Sequence, residues 1–533
     1  MRTEDNSSMN PRSILEVGPD PVLLLDDHIV ARTRNCRQTF YGAFKDPANP
    51  IIRATEPWEG RGPYTWGTRL LRNPDTNQYN FYYVGYRLED NHYRWGLAIS
   101  EDGLTWTKPD LNIETFEGKP ARNMLTGGLH PDKAVRSVVR DPRPECPPQE
   151  CYKAIRFTYE GEYVSYSSDG RSWHEDPANP VWHVPSDMIH GMWDPQRNRF
   201  VVYYKVWEIT GETPDPDSPS GYRPVKSYSP FFDHKLREDG LTEITGPMIH
   251  FHPESKAEVK DEALIVRTGN QGMDDGGGGP LTGAWHTRRV IAWAESDDWR
   301  HWQHEQIVLG CDDRDRSDAN IQYMFVMHYG GYYLGFLTMH DERGHFEQQF
   351  AFSYDGINWS RPWRGNFIGL GTPDAFDSGM VLAPTDPIIT DTQMLFYYGG
   401  FDIVHYAPMD APWSSSIGRA IIRRDGFSGW QNLPGETGVI ETQPLLITRD
   451  TLYINADAGT GSITVEILDE TGCILKGFES ESCQPIIEDT TRFQGCMAPV
   501  EWTSGATIAN IKGRVVRLRF CLENATMFSF SNN

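Results

Sequence analysis

Long apolar runs are the first thing this 533-residue sequence lacks. No stretch approaches the roughly 20 consecutive apolar residues of a membrane-spanning helix, and the opening MRTEDNSSMNPRSILEV has no apolar centre of the kind a secretory leader carries. Extended Ala/Leu/Glu/Lys-rich patterns of helical period are missing too. Cysteine is sparse and scattered: there are eight, and the one close pair, Cys146 and Cys151, has no second Cys/His pair at zinc-finger spacing. No metal site and no cofactor are expected. Positive charge is in deficit, with 50 Lys and Arg against 74 Asp and Glu and a net charge of −24. A surface of that sign repels nucleic acid and anionic membranes, so neither is an expected partner. Reduced thiols and a cytoplasmic location are the expectation, although a mature secreted form would read much the same.

Aromatic residues, glycine and proline are abundant instead: 17 Trp, 24 Tyr, 24 Phe, 49 Gly and 37 Pro. That balance predicts an all-β protein with many turns. One phrase recurs. AISEDGLTWTKP (Ala98 to Pro109) and AFSYDGINWSRP (Ala351 to Pro362) share A-x-S-x-D-G-x-x-W-[ST]-[KR]-P, and looser copies stand at SSDGRSW, SDDWRHW and RRDGFSGW. The five begin near positions 100, 167, 296, 353 and 423. Each follows an aromatic strand such as NFYYVGY or RFVVYYKVW. Three or four strands per unit, repeating every 57 to 70 residues, is the pattern of a β-propeller. Asp-Gly supplies a tight turn, the Ser and Asp oxygens can hold backbone N–H groups within it, and the Trp packs between sheets. The phrase is expected to be scaffold, with Trp106, Trp173, Trp302 and Trp359 at equivalent buried positions.

The gap between the second and third copies is double the others, and a Pro-, Gly-, Asp- and Ser-rich stretch lies inside it. This predicts a five-bladed propeller over 21–436 with an insertion at 208–286 in blade three, preceded by a tail at 1–20 and followed by a C-terminal β-sandwich at 437–533. A regular extra blade is not expected from the insertion. It is expected to pack across a propeller face or against a second copy of the chain, giving a route to a homo-oligomer.

Propeller inner strands converge on a central channel, so candidate chemistry is sought at their ends. Asp187, Asp318 and Asp377 fall at comparable places just before three inner strands, with Asp141 near the corresponding region of blade two. Blade one offers Trp66 and Arg69. Arg140 and His190 are candidates to orient carboxylates, Trp66 and Trp193 to stack on a flat ligand, and Glu347 to reach the pocket. Crowded carboxylates shift one another's pKa values, the condition a general acid needs. His250 and His252 in IHFHPE are read as strand histidines rather than a metal pair.

The opening LLLDDHIVA (Leu23 to Ala31), EPWEG (Glu56 to Gly60), SEDGLTWTKP and DSGMV (Asp377 to Val381), in a propeller followed by a sandwich, resemble glycoside hydrolase family 32 and its furanosidase relatives. The resemblance spans about residues 21 to 533, the insertion excepted. It implies three pocket carboxylates, and RDP (Arg140 to Pro142) looks like the motif carrying the one that orients substrate. The NDPNG-type motif has no counterpart: YTWGTRLLRNPDT stands in its place. The leading expectation is a hydrolase acting on a furanoside or small oligosaccharide, with its catalytic pair among Asp187, Asp318 and Asp377. The alternatives are a lyase, isomerase or cyclase that reuses the propeller for a small organic molecule, and a non-catalytic carbohydrate-binding propeller.

Overall fold

The computed structural model describes residues 14–533 except 67–68, 126–134, 185, 239–240, 253–255, 267–286, 383, 409 and 488–495. The described chain is strands, turns and four short 3-10 turns. Five antiparallel blades form the propeller, the fourth and fifth joined into one ten-stranded sheet by a parallel pairing of Phe346 with Met380. Their inner strands are Pro63–Tyr64 with Leu70–Arg72, Val135–Arg140, Ile189–Asp194, Asn320–Tyr329, and Met380–Leu382 with Ile388–Ile389. The middle strands are the aromatic runs read in the sequence, from Tyr79–Arg87 to Gln393–Phe401. The ring closes through its first strand: Phe44–Lys45 pairs with Ser415–Arg423 and so supplies the outer edge of the last blade.

The repeated phrase builds the same turn in four blades. Ser100 Oγ accepts from Gly103 N, while Asp102 Oδ1 accepts from Leu104 N and Thr105 N. Ser167 with Asp169, Ser296 with Asp298, and Ser353 with Asp355 repeat all three bonds at 2.7 to 3.0 Å. The residue after the Asp needs a positive φ, 71° at Gly103, 72° at Gly170 and 74° at Gly356; blade three places Trp299 there at 70°. The turn also joins blades. Tyr82 Oη donates to Gly170 O (3.0 Å) and Tyr203 Oη to Gly356 O (2.9 Å), each from the middle strand of the preceding blade. Tyr397 does the same to Gly103 O across the ring closure. In blade three the link reverses, and Trp299 Nε1 donates to Ala154 O. This is why one chain carries the phrase repeatedly. Trp173 and Trp302 are buried as expected, whereas Trp106 and Trp359 are half-buried, because blades one and four leave one side of the indole to solvent.

The insertion departs from expectation. The middle strand of blade three continues without a break over Arg199–Pro214 and pairs with Tyr222–Ser229, and Thr242–His250 pairs with Glu258–Val266, so its described part is a regular extension of the blade-three sheet. Ile249 and Ala257 fold back onto the blade-three core with Trp182, Tyr204 and Trp302, and Ala257 N donates to the buried Glu305 (3.2 Å). The GGGG run at Gly276 to Gly279 lies outside the described residues.

The sandwich takes strands from both chain ends. One sheet has Leu15–Val17, Leu445–Ile447, Val515–Glu523, Gly438–Thr442 and Val30–Arg34 in order; the other includes Val22–Leu23, Thr526–Asn532, Ser428–Asn432 and Cys36–Phe40. The expected divisions at 20/21 and 436/437 therefore shift, because residues 15–40 and 428–432 pair within the sandwich and not within a blade. None of the eight cysteines forms a disulfide.

Candidate functional site

A pocket of about 180 Å³ opens at one mouth of the propeller. Tyr64, Met188, Gln322 and Met380 line it from the beginnings of four inner strands, with Tyr86, Tyr93, Phe346 and Phe401 from the turns that join middle to third strands. Trp66, Trp413 and the loop through Ile403, Val404 and His405 complete the wall. Nearly all of it is aromatic or aliphatic.

Charge gathers at its base. Asp187 stands beside Met188 and is paired with Lys205 (2.7 Å) from the middle strand of blade three. A third of the Asp187 side chain, 35%, remains exposed although it lies deep in the funnel, whereas Lys205 is buried. Burial alone would push the Asp187 carboxyl up; Lys205, with Arg136 and Arg289 behind it, overrides that and holds it below the usual carboxylate range. Glu162, at the start of the third strand of blade two, is the opposite case. It has no exposed surface, accepts one bond from Ser186 N (2.6 Å), and burial raises its carboxyl well above the ordinary value. Arg136 lies over the Trp66 ring, 3.7 Å from its centroid. Arg289 Nη1 meets His340 Nδ1 at 2.7 Å and lies over Trp207. His340 packs edge-on against His405. Burial, reinforced by Arg289 and Lys205, pushes His405 down to about 3. Two carboxyls whose proton affinities are shifted in opposite directions, three basic side chains and two imidazoles therefore gather around Asp187.

The structure distributes the sequence-read residues over four places. Asp187 and Trp66 stand at this funnel. Asp318 lies at the same mouth, but both its oxygens are held by Arg316 (2.9 and 2.7 Å), and Oδ2 also accepts from Glu342 N. Arg69 and His190 fill the channel beneath the pocket. Arg69 crosses it, donating to Gly191 O (2.7 Å) on blade three and pairing with Asp386 of blade five. His190 has no exposed surface and meets Val326 O at 2.7 Å. Asp377 is 1% exposed and turns into the gap between blades four and five, where Lys45 Nζ (2.6 Å) and Tyr398 Oη (2.7 Å) donate to it. Glu347 points to that side as well, bonded to Asn366 Nδ2, because strand alternation gives the pocket Phe346 instead.

Arg140, Asp141 and Trp193 belong to the opposite mouth, since they stand at the far ends of their inner strands. Asp141 is 3% exposed; burial opposes its ionisation, yet Arg143 (2.9 and 2.7 Å) and the nearby Lys153 bring it down to about 2. Arg143 in turn lies over Trp193. The RDP segment thus forms a structural ion-pair cluster away from the pocket. His250 faces Glu262 (3.2 Å) in the insertion, and among the described residues no group of three or more His, Cys, Asp or Glu is placed to hold a metal.

Sequence reading missed Glu162, Arg136, Lys205, Arg289, His340 and His405. The usable signal was a single charge within an otherwise apolar strand: Lys205 in RFVVYYKVW, Arg289 in RRVIAWAES, Arg136 in VRSVV.

No family model matches this chain, and no curated protein does. Solved structures are similar to it over most of its length. A fructofuranosidase from Schwanniomyces occidentalis, complexed with fructosylnystose, is 10% identical with a TM-score of 0.35, covering 93% of this chain and 100% of that one. A Bombyx mori family 32 β-fructofuranosidase is 10% identical with a TM-score of 0.32, covering 90% and 92%. An exo-β-1,3-galactanase from Phanerochaete chrysosporium, complexed with β-1,3-galactotriose, is 8% identical with a TM-score of 0.31, covering 93% and 99%. By its own strand pairing the chain is an all-β, five-bladed propeller joined to a β-sandwich.

Proposed function

We propose that the funnel is the active site of an enzyme that binds a small, largely apolar organic molecule and isomerises or cyclises it without hydrolysis. The observation that carries this reading is an aromatic and aliphatic pocket wall set on a base rich in cations. A sugar presents a hydroxyl on nearly every carbon, and each one buried without a partner costs about 1–3 kcal/mol. This wall offers few polar side chains beyond Gln322, His405 and the phenols of Tyr64, Tyr86 and Tyr93, and Tyr86 Oη already donates to Asn91. The aromatic surfaces suit an unsaturated chain or ring held in one reactive fold. Arg136, Lys205 and Arg289 lie close around Asp187 and set a positive potential at the pocket base that favours negative charge developing on a substrate oxygen. Asp187, held ionised, is available to accept a proton.

Glycoside hydrolysis is the second reading, favoured by one observation: burial raises the Glu162 carboxyl while Lys205 lowers that of Asp187, the divergence an acid and a base require. Its weakness is that Glu162 has no surface to offer a substrate. Both readings meet the same test. Purified protein is incubated with sucrose and p-nitrophenyl α-L-arabinofuranoside while sugar or nitrophenolate release is followed, and 2-naphthamide is titrated against tryptophan fluorescence. The proposal expects no release above the blank and saturable quenching that Trp66→Ala abolishes. Sugar release that disappears in Asp187→Asn would establish hydrolysis instead.

A further inference from the structure

Strand alternation breaks at Gln322. The inner strand Asn320–Tyr329 sets Ile321 opposite Met339 and Tyr323 opposite Thr338, so Gln322 is an extra residue with nothing across from it, a β-bulge. The shift shows in the packing. Tyr323, Phe325 and Met327 belong to one core cluster and Met324 and Val326 to another. Ile321 joins the second set, although plain alternation would put it with the first. The bulge leaves Gln322 in the pocket wall, the one amide there among the described residues. Bulges recur beside active sites because they re-aim a side chain.

The amide so placed is not tied into the fold. Gln322 is 4% exposed, and its Oε1 is enclosed with no hydrogen-bond partner among the described residues. Gln348, also buried and two strands away in the same blade, shows the contrast. Its Oε1 and Nε2 both bond Thr338 Oγ1 (3.2 and 3.0 Å), and Nε2 also donates to Val381 O (2.7 Å). An enclosed acceptor without a donor is a standing cost, and in a native interior each such group calls for a reason. Here the reason is the other end of the amide: with Oε1 turned inward, the N–H end is the one directed to the pocket.

We propose that Gln322 determines specificity in this pocket: the molecule bound there carries a carbonyl group, whose oxygen accepts a hydrogen bond from Gln322 Nε2. This rests on the reading of the pocket as a site for a small, largely apolar molecule, and it names the polar group that molecule presents to blade four. An acceptor suits the place on two counts. The available end of the amide is a donor, and the basic side chains around Asp187 favour electron density on an oxygen. A hydroxyl would add a donor hydrogen needing an acceptor of its own, whereas a carbonyl needs only the N–H.

The test uses 2-acetonaphthone and 2-isopropenylnaphthalene, which share one shape and differ only in C=O against C=CH2. Both are measured by equilibrium dialysis near neutral pH against the wild type and Gln322→Met. The hydrocarbon leaves water more readily whatever the protein, so the quantity read is the ratio of the two affinities, compared between proteins. The expected result is a ratio about five- to ten-fold more favourable to the ketone in the wild type, lost in Gln322→Met through weaker ketone binding alone. Infrared spectra of the wild-type complex, with the ketone carbonyl isotopically labelled, should show its stretch below the position in hexane. Gln322→Met should melt no lower than the wild type, since it removes an unpartnered amide and keeps the volume. An unchanged ratio in Gln322→Met, or a carbonyl stretch at its hexane value, overturns the carbonyl and leaves the apolar pocket standing. Loss of stability in Gln322→Met would show the amide to be structural and overturns it as well. If neither probe binds, the pocket reading itself falls and the carbonyl with it.

Discussion

Replacing Lys205 with Met removes the nearest cation from Asp187 while keeping most of the side-chain volume. In the native protein, Lys205 lies 2.7 Å from the Asp187 carboxylate, and it is the largest of the influences that hold that carboxyl down against burial. Breaking a buried ion pair by deleting one partner costs about 3–5 kcal/mol. Asp187 is about a third exposed, so solvent screens part of this, and Arg136 and Arg289 remain nearby; about 1–3 kcal/mol is the reasoned loss near neutral pH. For a chain of this size that is a fall of about 1–3 °C in the melting midpoint. The sign with pH follows from linkage. A carboxyl whose folded pKa is depressed contributes stability above its unfolded pKa and loses that contribution as pH falls through the folded value. In Lys205→Met, burial dominates and the Asp187 pKa rises, so its charged form destabilises the fold above the unfolded pKa. The gap between wild type and variant should therefore be widest near neutrality and shrink below about pH 5. Differential scanning fluorimetry across that range reads it directly. A gap independent of pH, or no gap, would refute the claim that Lys205 keeps Asp187 ionised.

Three further outcomes follow from particular contacts. Glu305 is buried and its carboxyl is raised to about 7, so native stability should fall as pH climbs from its unfolded value toward 7 by on the order of 3 kcal/mol; Glu305→Gln should flatten that slope in a melting series, and an unchanged slope would count against it. Tyr82→Phe leaves Gly170 O without its donor from the neighbouring blade and should cost about 1–2 kcal/mol in a denaturant titration while probe binding is kept. Asp377→Asn should lower stability by about 1–3 kcal/mol through loss of the Lys45 pair and leave 2-naphthamide binding unchanged; loss of binding with full stability would return Asp377 to the site.

The architecture was legible because each blade must solve the same local problem. A Ser two residues before an Asp captures three backbone N–H groups, and that demand writes itself into the sequence wherever the turn occurs. Even the exception is informative, since Trp299 takes the positive-φ place that Gly holds in three other blades. The sharing of N-terminal strands with the sandwich was not legible, since strand pairing between Cys36–Phe40 and Ser428–Asn432 leaves no local mark. Nor was most of the site. Position before an inner strand placed Asp187, Asp318 and Asp377 at similar depths, but what decides a carboxylate's role is the partner it meets. Asp377 meets Lys45, 332 residues away, Asp318 meets Arg316, and Asp187 meets a lysine that the sequence hid inside an aromatic strand. Arg140 and Asp141 were misplaced for another reason: the motif lies at the end of an inner strand, and strand direction assigns it to the other mouth.

The most direct measurement is a crystal structure of the protein soaked with 2-naphthamide. The account predicts the naphthalene ring in the pocket between Trp66 and Trp413, with Asp187 still paired with Lys205. A ligand seated at the opposite mouth against Asp141 and Arg143, or a pocket that stays empty while a furanoside binds with Asp318 released from Arg316, would contradict it.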